Sequence, residues 1–243
     1  MAQNIYDDPA FFEGYSRLAR STQGLAGAPE WPALRAMLPD LAGSRVLDLG
    51  CGYGWFCRWA REQGAREVLG LDVSRRMLER AQQMTSAHPG IRYAQADLET
   101  AELPEAGFEL VYSSLAFHYI ADLPRLLGEV HRALVPGGAL VFSTEHPIYM
   151  APTRPGWRVD AQGHKSWPLD AYQVEGPRTT DWLAPGVLKY HRTLGTLLNA
   201  LLDTGFSLRR VNEWGPSDAD LAATPALAEE RERPMMVLVS ARR

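Results

Sequence analysis

The stretch VLDLGCGYGWF, residues 46–56, constrains the fold of this chain more than any other. An apolar, β-rich run leads into Gly50, Gly52 and Gly54 and then directly into a helical pattern. Glycines placed there leave backbone amides open to close approach at the carboxyl edge of a sheet. The dinucleotide fingerprint G-x-G-x-x-G opens a helix in the same way, with the pyrophosphate at the helix N-terminus. Its register fails here, because the third glycine would fall on Trp55 or, one step later, on Cys57. Asp48 precedes the first glycine by two residues, and a carboxylate at that edge repels a pyrophosphate and favours a cationic group. A nicotinamide dinucleotide is therefore a poor fit to the loop.

The flanking sequence supplies the rest of the architecture. From residue 44, the runs RVLDLG, EVLGLD, IRYAQAD, FELVYSS and GALVFSTE alternate with the helical patterns WFCRWAREQG, SRRMLERAQQM and LPRLLGEVHRALV. This alternation predicts an α/β fold with five parallel strands by residue 145 and helices on both faces. Asp72 ends the second strand, twenty residues after Gly52, where a carboxylate accepts hydrogen bonds from vicinal ribose hydroxyls. Asp97 closes the third, placed to accept an adenine amine with Leu98 beside the ring. Two helices, DPAFFEGYSRLARS and PEWPALRAMLPDL, precede the core. A helix over HRTLGTLLNALLDTG, opened by His191, and the strands FSLRRVNEW and RPMMVLVSARR follow it. The reading is one domain: capping helices over 1–43, a cofactor-binding core over 44–145, a lid over 146–189, and a closing helix and strands over 190–243.

With DLGCGYG (48–54), LGLDVS (69–74), QADLE (95–99), FELVYSSLAFHYI (108–120) and LVPGGALVFSTEHP (134–147) in order, the chain resembles class I S-adenosylmethionine-dependent methyltransferases. Within that class it is similar to the type 11, ubiquinone/menaquinone-methyltransferase-like group. The resemblance implies a doubly wound, Rossmann-like, seven-stranded and mostly parallel sheet in the order 3-2-1-4-5-7-6, its last strand antiparallel. It also implies S-adenosyl-L-methionine as cofactor. Asp48, Gly50, Cys51, Gly52 and Gly54 would approach its methionyl part, Asp72 the ribose with Val73 and Met77 nearby, and Asp97 with Leu98 the adenine. Ser114 would bond cofactor or substrate. Tyr15 and Arg20 belong to a capping helix, and Arg20 would pair with the methionyl carboxylate.

Transfer of a sulfonium methyl is an in-line displacement, in which positioning supplies much of the rate, with effective molarities of about 10⁵ M or more. A general base is needed only where the acceptor must lose a proton. His118, after the fourth strand, is the first candidate, and His146 with Glu145 ends the fifth strand on the same edge. With His191, the three histidines are expected to face one cavity. Residues 146–189 hold six prolines, four glycines and three tryptophans without clean periodicity, which marks a lid. Trp157, Arg158, Trp167, Tyr172, Arg178 and Trp182 are its candidate acceptor contacts, suited to a flat or partly anionic small molecule.

Composition narrows the partners. Lys plus Arg number 25 against 29 Asp plus Glu, a net charge of -4, so there is no broad basic field for nucleic acid or an anionic membrane. The two cysteines, Cys51 and Cys57, share one loop and helix, giving no disulfide framework and fitting a cytoplasmic protein. No run reaches the length of a membrane span, and the six scattered histidines show no metal-ligand spacing. A homodimer is compatible with the sequence. An RNA or protein methyltransferase and a non-catalytic S-adenosylmethionine-binding subunit are the competing readings.

Overall fold

The computed structural model describes residues 3–85 and 88–243. Five strands, β1 (Arg45–Leu49), β2 (Glu67–Asp72), β3 (Ile91–Gln95), β4 (Phe108–Ser114) and β5 (Leu134–Glu145), pair in parallel. Four strands outside the main sheet come next: β6 (Arg158–Val159), β7 (Lys165–Ser166), β8 (Gly176–Trp182) and β9 (Ala184–His191). The sheet is completed by β10 (Ser207–Trp214) and β11 (Met236–Arg242). Its order is β3-β2-β1-β4-β5-β11-β10, with β11 antiparallel to both neighbours. Counting only the seven sheet strands, this is 3-2-1-4-5-7-6. The chain winds outward from β1 in both directions, which opens a crevice at the carboxyl ends of β1 and β4.

Alternate strand residues feed two cores. Leu47, Val111, Phe142 and Val239 face α6 (Leu123–Ala133) and α8 (Leu194–Asp203). Val46, Leu110, Val141 and Leu238 face the side of α3 (Trp31–Arg35), α4 (Trp55–Glu62) and α5 (Arg75–Thr85). The inner strands are apolar on both faces because each face is covered. Among the described residues, no helix is long and apolar enough to cross a membrane.

Three local expectations are corrected. The first N-terminal helix is two: α1 (Pro9–Ser16), capped by Asp8 through the amides of Ala10 and Phe11, and α2 (Ala19–Thr22). They part at Leu18, whose extended backbone begins a new turn, and Ser21 Oγ donates back to Tyr15 O across the break. The second helix shortens to α3, since Pro39 disfavours helical backbone at Leu38. The segment 146–189 is more ordered than its composition suggests. It starts with the short helix α7 (Pro147–Met150) and contains the small ladder β6/β7 and the long hairpin β8/β9. His191 therefore ends β9, and α8 starts later, capped by Thr193 accepting the Thr196 amide.

Gly54 is the N-cap of α4, at φ +69°, and a Cβ there would lie 2.1 Å from Tyr93 Oη on β3. Gly54→Ala combines a left-handed non-glycine residue with an overpacked contact. A loss of roughly 2–4 kcal/mol in chemical denaturation is expected; a loss below about 0.5 kcal/mol would show that Tyr93 moves aside freely.

Candidate functional site

The glycine loop is tied to the tip of β2. Gly50 and Cys51 donate their amides to Leu71 O at 2.8 and 3.0 Å, and Gly52 donates to Asp72 Oδ2 at 2.8 Å. Asp72 Oδ1 accepts the Ser74 amide at 2.8 Å, so one carboxylate orders the loop and the entry to α5 together. Each oxygen retains capacity for a further donor. Gly52 lies at φ +51°, and a Cβ built on it meets nothing within 4 Å: its open side faces the crevice.

Burial dominates the electrostatics. Desolvation pushes the Asp72 carboxyl up to about 6, against the amides that hold it down. It pushes Asp48, whose Oδ2 accepts from Cys57 Sγ at 3.2 Å, up to about 7. Neither forms an ion pair among the described residues. Two buried carboxylates beside an open glycine loop are suited to a ligand that brings hydroxyl donors and positive charge, as S-adenosylmethionine does.

A cavity of about 370 Å³ runs along the carboxyl ends of the strands. Among the expected cofactor residues, Tyr15, Arg20, Gly50, Gly52 and Asp72 line it, with Val73, Met77, Asp97, Leu98 and Ser114. Asp48 and Cys51 line a smaller adjoining cavity of about 90 Å³, which shares Tyr15, Arg20 and the loop with the larger one. Gly54 lines neither and serves the packing of α4 on Tyr93. Arg20 is held by Glu30, a carboxylate 1% exposed, at 3.1 and 3.3 Å.

The other end of the cavity is built from distant segments. His118, in the turn Phe117–Tyr119 after β4, lines it, and so do Glu145 at the end of β5 and Trp182 and Lys189 of the hairpin. Lys189 Nζ donates to Glu145 Oε1 at 2.5 Å. Tyr6, Tyr119 and Tyr149 complete the wall. Burial and the positive charges of Lys189 and Arg192 hold the His118 imidazole well below its usual value, so it is neutral. Burial raises the Glu145 carboxyl above its ordinary value, more than Lys189 lowers it.

The expected convergence of three histidines does not occur. His146 caps α7, its Nδ1 accepting the Ile148 amide, while Nε2 meets Glu213 at 2.8 Å. His191 Nε2 donates to Tyr172 O at 2.8 Å. Neither ring lines the cavity. Most of the lid candidates also turn elsewhere. Trp157 and Trp167 pack with Tyr149 around the Arg233 guanidinium, and Trp167 Nε1 donates to Ile148 O. Tyr172 accepts the Leu194 amide, Arg178 donates to the carbonyls of Ala151, Ala171 and Val174, and Arg158 is exposed. Lys189 escaped the sequence reading although a signal exists: it shares the period-2 phase of Val187 and His191, both fully buried.

Residues 47–142 match the family described as a methyltransferase domain. An uncharacterised protein of Haemophilus influenzae is 35% identical over 241 residues, covering 92% of this chain and 94% of its own. A malonyl-[acyl-carrier protein] O-methyltransferase of Serratia marcescens is 38% identical, covering 71% of this chain and 68% of its own. The crystal structure of an S-adenosylmethionine-dependent methyltransferase from Mesorhizobium loti is 61% identical. It superposes with a TM-score of 0.88 over 90% of this chain and all of that one. With that sheet order and that glycine loop, the chain belongs to the class I S-adenosylmethionine-dependent methyltransferases.

Proposed function

We propose that the protein transfers the methyl group to a small-molecule acceptor seated in the same cavity as the cofactor. One observation carries this reading. The cavity is continuous from Asp72 and Asp97 to Tyr119 and Trp182, and it is walled by the N-terminal segment through Tyr6, Tyr15 and Leu18 and by the hairpin through Trp182 and Lys189. Bound there, S-adenosylmethionine would supply a methyl already activated on a sulfonium. Asp72 would accept the ribose hydroxyls, Asp97 with Leu98 would hold the adenine, and the Gly50–Gly52 backbone, Asp48 and Arg20 would take the methionyl part. The tyrosines and Trp182 would exclude water and orient the acceptor for in-line attack.

A nucleic-acid acceptor is disfavoured by the charge of the wall. Among the described residues its cationic side chains, Arg20 and Lys189, are paired with Glu30 and Glu145. The malonyl-[acyl-carrier protein] relatives support a second reading, an acceptor carried as an acyl group, which would thread the same cavity.

Calorimetry is expected to show S-adenosylmethionine and S-adenosylhomocysteine binding and no NADH binding. S-adenosylhomocysteine release should then follow addition of free small molecules; release only with a malonyl-loaded carrier protein, or only with RNA, would replace the small-molecule reading. Asp72→Asn should weaken cofactor binding by about 2 kcal/mol, some 30-fold, through loss of charge-assisted bonds. Because a bonded cofactor favours the ionised carboxylates, wild-type affinity should be complete only above about pH 8 and decline as the pH falls first through about 7, where free Asp48 protonates, and then through about 6, where free Asp72 does. A profile with no decline between about pH 6.5 and about pH 5 would remove Asp72 from ribose recognition.

A further inference from the structure

The Glu145–Lys189 pair lies at the end of the cavity that the nucleoside does not need. Asp72 ends β2 and Glu145 ends β5, with β1 and β4 between them, a separation of roughly 14 Å at the usual strand spacing. Lys189 is buried and Glu145 partly buried, their side chains 4% and 14% exposed. Lys189 Nζ sits 5.3 Å from the Trp182 ring and 6.0 Å from that of Tyr119. A buried ion pair returns little stability over an apolar pair of the same volume, because desolvation consumes the Coulomb gain. An ion pair retained in the wall of a reaction chamber therefore points to chemistry.

His118 sharpens the assignment. Its Nδ1 accepts the Glu145 amide at 3.4 Å, and Thr144 Oγ1 lies equally near, so the proton of the neutral ring belongs on Nε2. That nitrogen faces Glu145 Oε1 at 3.9 Å. In this tautomer His118 has no lone pair to offer an acceptor. It is a positioning residue, and the base beside it is Glu145.

Resting on the small-molecule reading above, we propose that the acceptor is an uncharged molecule with an acidic hydroxyl, a phenol or an enol. Glu145 takes its proton, and Lys189 holds the oxyanion. The charge count selects this class. A carboxylate acceptor needs no base and would meet Glu145 as a like charge. An ammonium acceptor would meet Lys189. A neutral hydroxyl passes its proton to Glu145 and leaves one positive and one negative charge where one of each stood before, so no net charge is created in the low-dielectric chamber. The oxygen lone pair then forms the O–CH₃ bond as the C–S bond breaks, and its electron pair returns to sulfur to give the thioether. The products are a methyl ether, S-adenosylhomocysteine and the proton on Glu145, which leaves to solvent and restores the pair.

The test uses the full chain, a graded set of 4-substituted phenols, and benzoate and benzylamine as charged controls, with cofactor affinity measured separately for each variant. Wild type should methylate the phenols in preference to both controls. Glu145→Gln should lose about 100-fold in kcat on unsubstituted phenol. It should lose less than about 10-fold on 4-nitrophenol, which ionises in slightly alkaline buffer without help. Lys189→Met should lose activity on both, and S-adenosylmethionine affinity should stay within about twofold throughout. A purely structural role would lower all acceptors alike. If either single variant fails to fold, the neutral double variant Glu145→Gln with Lys189→Met must show the phenol loss with cofactor affinity intact. Equal losses on all phenols in Glu145→Gln, or preference of the wild type for benzoate or benzylamine, overturn the acceptor class and leave the small-molecule reading standing. No transfer to any of the set, together with no 4-nitrophenol binding to the S-adenosylhomocysteine complex, also overturns it. Transfer only to a malonyl-carrier protein or RNA overturns the small-molecule reading as well.

Discussion

The Asp72 carboxylate, accepting the Gly52 amide on one oxygen and the Ser74 amide on the other, is the bond pair on which the site depends. It fixes the glycine loop against the tip of β2, and it fixes the start of α5. The N-terminal segment docks onto the same tip. Asp7 accepts from Ser74 Oγ at 2.6 Å and from the Arg76 amide at 3.1 Å, while Asn4 Nδ2 donates to Val73 O. The cap over the crevice and the loop beneath it are thus held by neighbouring groups. The cost of this arrangement is a buried carboxylate with no cationic side chain paired to it among the described residues, which is why desolvation dominates its titration. A ligand that donates to the remaining lone pairs would recover part of that cost.

The far end of the cavity depends on a different constraint, the docking of the hairpin β8/β9 over the sheet edge. Its register pairs Arg178 with Lys189, and Lys189 donates to Glu145. The rest of the lid is fastened by the Arg233 guanidinium, which lies 4.7, 5.4 and 4.5 Å from the rings of Tyr149, Trp157 and Trp167 and pairs with buried Glu230. Desolvated cation–π contacts of this kind contribute about 2 kcal/mol each. They anchor α7 and the β6/β7 region to the chain just before β11, where Met235 and Met236 reach the cavity wall. The tryptophans of segment 146–189 therefore divide into two that pack on Arg233, Trp157 and Trp167, and one that lines the cavity, Trp182.

Residues within one turn or strand of the glycine loop were legible in the chain itself. Asp72, Asp97, Gly50 and Gly52 lie at strand ends whose position follows from alternating apolar runs, and a strand end in a parallel sheet is already an address in space. The lid was not legible. Prolines and glycines hid two two-stranded ladders, and aromatic content could not say which ring lines the cavity and which faces Arg233. The histidines failed for a related reason: His146 and His191 sit near the right edge, but a cap on α7 and a carbonyl of Tyr172 claim their rings.

By itself the sequence determined the alternation of strands and helices and the place of the glycine loop, because periodicity and a glycine loop are local properties that each segment carries with it; the strand order and the cofactor followed from its resemblance to a known family. Only the tertiary structure decided which side chains meet at the far end of the cavity. Glu145 and Lys189 are 44 residues apart, and the β8/β9 register and its docking bring them together with the neutral His118. Side-chain direction across such a distance is set by packing, and packing is a property of the whole fold.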